Sequence, residues 1–203
     1  MLCRIGLPLT AAILLAACGG EREAATRAPA ETTAAETAGG TAGGAQPAEA
    51  GKATVPAWMK VDEAAKTVSA DIEAGKTPDN NHWNFNGFVN GNATMTVPVG
   101  YKVRIQMKNS DPAVAHSIGV DSKTGEFPPM FQSPKPVFPG AISEDPTSPQ
   151  GGTASGKTAT ISFTADKPGQ YSLVCYMPGH AATGMWMHFH VTEGGTPGVS
   201  TSS

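Results

Sequence analysis

Cysteine is scarce in this chain of 203 residues, and the positions of its three copies limit what they can do. Cys3 lies in an apolar leader and Cys18 directly behind it, so Cys175 is the one thiol left for a folded region and no intrachain disulfide can form there. Charge is scarce too. The 14 basic and 17 acidic residues are scattered and sum to -3, which argues against strong electrostatic steering of a partner. No basic stretch interleaved with aromatics marks a nucleic-acid surface, and nucleic acid is excluded as a partner. The apolar run from Ile5 to Ala17 falls short of the about 20 residues that a membrane span requires.

What that run does resemble is an export leader, since Arg4 precedes it and small residues close it. Leu15, Ala16, Ala17 and Cys18 are similar to the lipobox of bacterial lipoproteins. That motif implies a leader over residues 1–17 that is cut away, with Cys18 lipidated and holding the chain on the periplasmic or cell-surface side of a membrane. An ordinary cleaved signal with Cys18 incidental is the alternative, and both take the chain out of the cytoplasm. Residues 18–54 then form an anchor and linker of Ala, Thr, Glu and Gly with almost no large apolar side chains, a composition that cannot build a core. As a flexible coil, its 36 residues after Cys18 would span roughly 30 to 35 Å. Residues 195–203, GTPGVSTSS, read as a second loose segment, a flexible tail.

The chemistry is concentrated near the C-terminal end. In YSLVCYMPGHAATGMWMHFHV, four residues separate Cys175 from His180 and four separate His180 from Met185, and His116 stands far upstream in AVAHSIG. Taken singly, Cys175 passes for a buried thiol, His180 for a loop histidine and Met185 for core filling. Together in one loop after a strand they supply thiolate, imidazole and thioether around one point, with His116 from another strand as the fourth ligand. Two His and one Cys in a plane with a weak axial Met is the ligand set of a type 1 copper site. A lone thiol outside the cytoplasm is open to oxidation unless it is committed to a metal, and the odd cysteine favours the same reading.

The segments CYMPGHAATGMW, AHSIGV and NFNGFVNGNATMTVPVGYKVRIQMKN resemble the cupredoxins, and within that family the sulfocyanin branch most, with the rusticyanins more distant. The resemblance spans about residues 55 to 194. It implies a Greek-key β-sandwich holding one copper ion through His116, Cys175, His180 and Met185. Many cupredoxins carry Asn after the first His, whereas this chain has Ser117, which the resemblance connects with a relatively high reduction potential. It also implies that His180 reaches the surface.

The residues between Val55 and Glu193, about 140, suit a single domain. Short apolar runs broken by Gly, Pro, Asn and Asp predict an all-β, cupredoxin-like architecture with strands at 93–97, 101–107, 115–120, 158–164, 170–175 and 186–191. Ala159, Ile161 and Phe163 alternate with Thr160, Ser162 and Thr164, the period of a half-buried strand. Residues 58–74 fit both periodicities, and we expect a helical turn followed by a strand from about Lys66. The Pro-rich passage from Ser122 to Gly156 is long for a loop, and Met130, Phe131 and Phe138 are expected to pack it over one end of the sandwich. On the last strand Met185, Met187, Phe189 and Val191 share the inner face, while His188 and His190 share the outer one, where no third ligand is evident for a second metal. His82 reads as a surface residue.

The function implied is carriage of single electrons by a monomer, with a cytochrome or terminal oxidase docking near His180. An enzyme is disfavoured because copper oxidases and nitrite reductases need more His ligands and a His beside the Cys, where Val174 and Tyr176 stand here. A copper carrier or store is the other alternative, and the scattered methionines argue against it.

Overall fold

The computed structural model describes residues 52–202. The expected leader, Cys18 and nearly all of the linker lie outside the described residues. Among the described residues no helix is long and apolar enough to cross a membrane.

Among the described residues, nine strands form two sheets: β1 (Met59–Asp62), β2 (Thr67–Ala74), β3 (Ala93–Pro98), β4 (Lys102–Asn109), β5 (Gly119–Asp121), β6 (Thr158–Thr164), β7 (Gly169–Val174), β8 (Trp186–Thr192) and β9 (Gly198–Thr201). One sheet has the order β1-β2-β4-β6 and the other β5-β7-β8-β3-β9. Within them β2 and β4 run parallel, as do β3 and β8, and the remaining pairs are antiparallel. This is the all-β Greek-key sandwich of the cupredoxins.

Alternation builds the core between the sheets. Val68, Ala70, Ile72 and Ala74 of β2, Val103, Ile105 and Met107 of β4, and Ile161 and Phe163 of β6 point inward from one sheet. Met95 and Val97 of β3 and Met187, Phe189 and Val191 of β8 meet them from the other. Phe138 reaches in from the Pro-rich passage, stacking on Phe163 at 5.4 Å and standing edge-on to Tyr171. Each Val, Ile, Met or Phe among them contributes roughly 1.5 to 3 kcal/mol on leaving water. A smaller cluster, Phe127, Val174, Tyr176 and Ala181, covers the outer face of β7 at one end, with Phe131 and Trp186 packed on it. Met130 does not join it; its side chain is 59% exposed.

Four expectations change. The helical turn near Trp58 is instead β1, which pairs with β2 from Met59↔Ala70 to Asp62↔Thr67. Lys66 takes a left-handed φ of 50° and the Asp62 carboxylate accepts from the Ala65 amide, so the chain turns a hairpin where the periodicity also allowed a helix. The tail is not loose: β9 pairs with β3, Val199 is 6% exposed, and its backbone exchanges hydrogen bonds with Thr54. The strand foreseen at 115–120 shrinks to β5, because the chain before it leaves the sheet. His116 there makes a two-way bridge to Thr153. The last correction concerns His180, which is buried at 6% exposure.

Candidate metal centre

Two segments meet at one end of the sandwich. The first runs from the end of β4 to β5. Asn109 is buried, and its side-chain amide donates to the carbonyls of Val114 and Thr153, both at 2.8 Å, which fixes the excursion that carries His116. The second is the loop from β7 to β8. The Cys175 amide donates to the Met185 carbonyl (3.2 Å), and the Met185 amide donates to the His180 carbonyl (2.9 Å). Gly184 sits at φ 110° against Asn90, and a Cβ there would run into the Asn90 side chain. Hydrogen bonds therefore close the loop on itself and hold its three sulfur and nitrogen side chains to one side.

Cys175 Sγ lies 3.8 Å from His116 Nδ1 and 3.4 Å from His180 Nδ1, and the two nitrogens are 3.2 Å apart. A triangle with these sides has its centre about 2 Å from every corner, the length of a bond between imidazole nitrogen and a first-row metal ion. All three side chains are buried, and Met185, fully buried, comes from the same braced loop. The donor set fits a metal that alternates between a softer and a harder state: thiolate and thioether for one, imidazole for the other.

The surroundings prepare each donor. Burial lowers the pKa of His116 and lowers that of His180 to about 4, so both imidazoles are neutral near pH 7 with a lone pair to give. The Nε2–H of His116 donates to Asp111 at 3.0 Å, which leaves Nδ1 facing the cluster. Asp111 is itself held by the amides of Ala113 and Val114. Burial alone would raise its carboxyl, but those amides and His116 outweigh it and leave it below its ordinary value. Burial pushes the Cys175 thiol up to about 11, with the Ser117 amide pulling it part of the way back, so the thiolate forms when a metal displaces the proton. The Ser117 amide donates to Sγ at 3.4 Å. Its hydroxyl accepts from the Tyr176 amide at 2.9 Å, which leaves its own proton free for Sγ at 3.7 Å. Outer contacts of this kind orient the ligands and tune the metal.

A family model for the sulfocyanin (SoxE) domain matches residues 54–198. The chain belongs to the sulfocyanin family. Sulfocyanin of Sulfolobus acidocaldarius is 29% identical over 126 residues, which cover 60% of this chain and 61% of that protein. The chain thus spans about three-fifths of the length of that curated relative. Among solved structures, the copper protein rusticyanin is 26% identical over 66% of this chain and 87% of its own, with a TM-score of 0.44. Reduced auracyanin from Roseiflexus castenholzii is 23% identical over 66% of this chain and 99% of its own, with a TM-score of 0.43. In this sulfocyanin-family chain, His116, Cys175, His180 and Met185 make up a type 1 site for one copper ion.

Two residues beside the ligands carry no motif. Asp111 is one. The other is Trp83, whose ring stacks on His180 with centroids 4.0 Å apart and planes 18° from parallel. Trp83 covers the imidazole that the family resemblance placed at the surface. His188 and His190 lie half-buried on the outer face of β8, 5.5 Å apart between ring centroids, and join no third ligand among the described residues. His82 faces the Gly75 carbonyl at 3.4 Å and is not one of the clustered donors.

Proposed function

We propose that this protein carries single electrons between redox partners outside the cytoplasm, as a monomer tethered to a membrane, and is not an enzyme. The observation that supports electron carriage is the closed triangle of donors, 3.2 to 3.8 Å on a side, buried and braced by hydrogen bonds on two segments. Bound copper supplies the one-electron couple. The chain's part is to keep the donors from rearranging as the charge changes. The loop bonds from Cys175 to Met185 and from Met185 to His180 hold three of them, the Asp111 contact holds His116, and Ser117 fixes the sulfur. Met185 would add its thioether as a weak further donor, which would tune the potential.

The rim of the site suits brief docking. Pro178, Ala182, Met130 and Val114 are exposed, and none is charged. A small apolar face permits close approach without a long-lived complex, as in transient redox encounters. A cytochrome or a terminal oxidase is the partner class we propose there. The lipid on Cys18 and the linker up to residue 54 would let the domain reach such partners near the membrane. Burial of the thiol and both imidazoles speaks against a copper store, whose ion must exchange readily.

The visible and electron paramagnetic resonance spectra of residues 52–203 with added Cu(II) test this reading, followed by cycles of reduction and reoxidation. We expect an intense thiolate charge-transfer band that bleaches and returns, and that Cys175→Ser abolishes. A pale spectrum, or copper lost on reduction, overturns it.

A further inference from the structure

We propose that Trp83 is the electron port of this protein: its indole, pressed on His180 by a strained loop, is the bridge through which the electron passes between the copper site and a partner. This rests on the electron-carrier reading above. His180 itself is 6% exposed, whereas Trp83 keeps part of its surface in water, so a partner at this face meets the indole over the imidazole.

The loop that presents Trp83 also sends Phe85 into the core, and its backbone beside Trp83 is unusual. Asn80, Asn81, His82 and Asn86 all take left-handed φ values between 50° and 62°. Asn tolerates that region through local hydrogen bonds, but His82 gains no such help from a short side-chain amide. The buried Asn84 amide clips the two limbs together, donating to the carbonyls of Thr77 (2.9 Å) and Asp79 (3.1 Å) and accepting from the Gly87 amide (3.1 Å). Asn80 then holds the Trp83 carbonyl at 2.8 Å. Trp83 Nε1 is buried without a hydrogen-bond partner, so no polar contact of the indole accounts for its placement. Strain and an unmet donor gathered around one residue point to a function at that residue, because local costs of this kind persist where the surrounding structure enforces them. What the placement achieves is a parallel stack at 4.0 Å on a copper ligand.

A stack at that distance puts two π systems in van der Waals contact, with no gap between them for an electron to cross. On oxidation one electron leaves the reduced copper–thiolate site and one is gained by a one-electron acceptor. No proton moves, and the indole stays closed-shell with its N–H intact. Between two copies of the protein the same step is self-exchange, one chain being oxidised as the other is reduced.

Self-exchange in the full, copper-loaded chain tests this, measured from NMR line broadening in mixtures of the two oxidation states, with visible spectra and melting curves taken on the same samples. Trp83→Leu and Trp83→Met should keep the thiolate band and lose self-exchange severalfold, while Trp83→Phe keeps most of it. In the reduced state the His180 ring protons should lie upfield in the parent and move downfield in the aliphatic variants, as the indole ring current is removed. A folded aliphatic variant with the thiolate band that exchanges at the parent rate or faster overturns the proposal, because the indole is then only a shield over His180. So does a parent His180 without the upfield shift. A parent chain with no thiolate band is a failure of the electron-carrier reading and is seen before any variant is made.

Discussion

The Asp111 carboxylate accepts a hydrogen bond from His116 Nε2 at 3.0 Å, with both residues buried. The contact sets which ring nitrogen faces Cys175, and it places a negative group one imidazole away from the metal. Carboxylate behind a ligating histidine raises the basicity of the ligand. That favours the more highly charged Cu(II) over Cu(I).

Asp111→Asn keeps the shape and removes the charge. Affinity for Cu(II) should fall by about 10- to 100-fold, the usual cost of losing such a partner, and the reduction potential should rise. Competition against a chelator and a redox titration measure the two. A potential that stays put or falls would show that the carboxylate only shapes the loop.

Ser117→Ala acts on the sulfur in the opposite sense. The hydroxyl available to Cys175 Sγ disappears, the thiolate donates more density to Cu(II), and the potential should fall while the blue colour remains. The Tyr176 amide, which now donates to that hydroxyl, is left buried and unpaired. Its loss should cost about 1 to 3 kcal/mol of stability. Melting curves and a redox titration on the same variant separate the two effects.

Met185→Leu should keep copper bound and raise the potential, since a weak donor to Cu(II) is lost while the backbone bonds of residue 185 to Cys175 and His180 remain. An unchanged potential would assign the axial position to another group, Met187 of β8 being the first to try.

The ligand motif was legible in the sequence because type 1 chemistry needs soft and imidazole donors in one short loop, and Cys175, His180 and Met185 can be counted off directly. The strands were legible wherever one face is core and the other water: β6 was expected at 158–164 and runs Thr158–Thr164. Asp111 and Trp83 were not legible. Each reaches the site from outside its motif, Asp111 five residues before His116 and Trp83 from a loop nearly a hundred residues before His180, and neither residue type signals a metal. The tail failed for a different reason. Gly, Thr, Pro and Ser make β9 look like a linker, and only the open edge of β3 turns it into a strand.

That strand gives a stability prediction. Truncation after Gly194 removes β9, uncovers the edge of β3 and unpins Thr54, whose amide and carbonyl both bond to Val199. Losing the burial of Val199 alone should cost about 2 kcal/mol, a drop of about 4 to 8 °C in Tm for a domain of this size. The copper spectrum should not change, because β9 pairs with β3 and the ligands come from the segments between β4 and β5 and between β7 and β8. An unaltered melting temperature would mean that the strand adds nothing to the fold.

Acid should destabilise the metal-free chain before it affects most carboxylates. His180 falls from an ordinary value of 6.5 to about 4 on folding, chiefly through burial, and His116, His188 and His190 shift downward for the same reason. A histidine whose pKa is lower folded than unfolded takes up protons more readily in the unfolded chain. Its contribution is therefore intact above the unfolded value and is lost as pH falls through the window between 6.5 and about 4. His180 alone accounts for about 3 kcal/mol across that window. Asp111 works in a lower range, since its carboxyl is already below 3.8 and gives up its stabilisation only in stronger acid. Denaturant midpoints from pH 8 to pH 4 should decline steadily for the metal-free chain. Copper holds both imidazoles deprotonated, so the loaded chain should keep its midpoint further into the acid range. Equal declines with and without copper would show that His188 and His190 on the outer face of β8, not the ligands, carry the acid sensitivity.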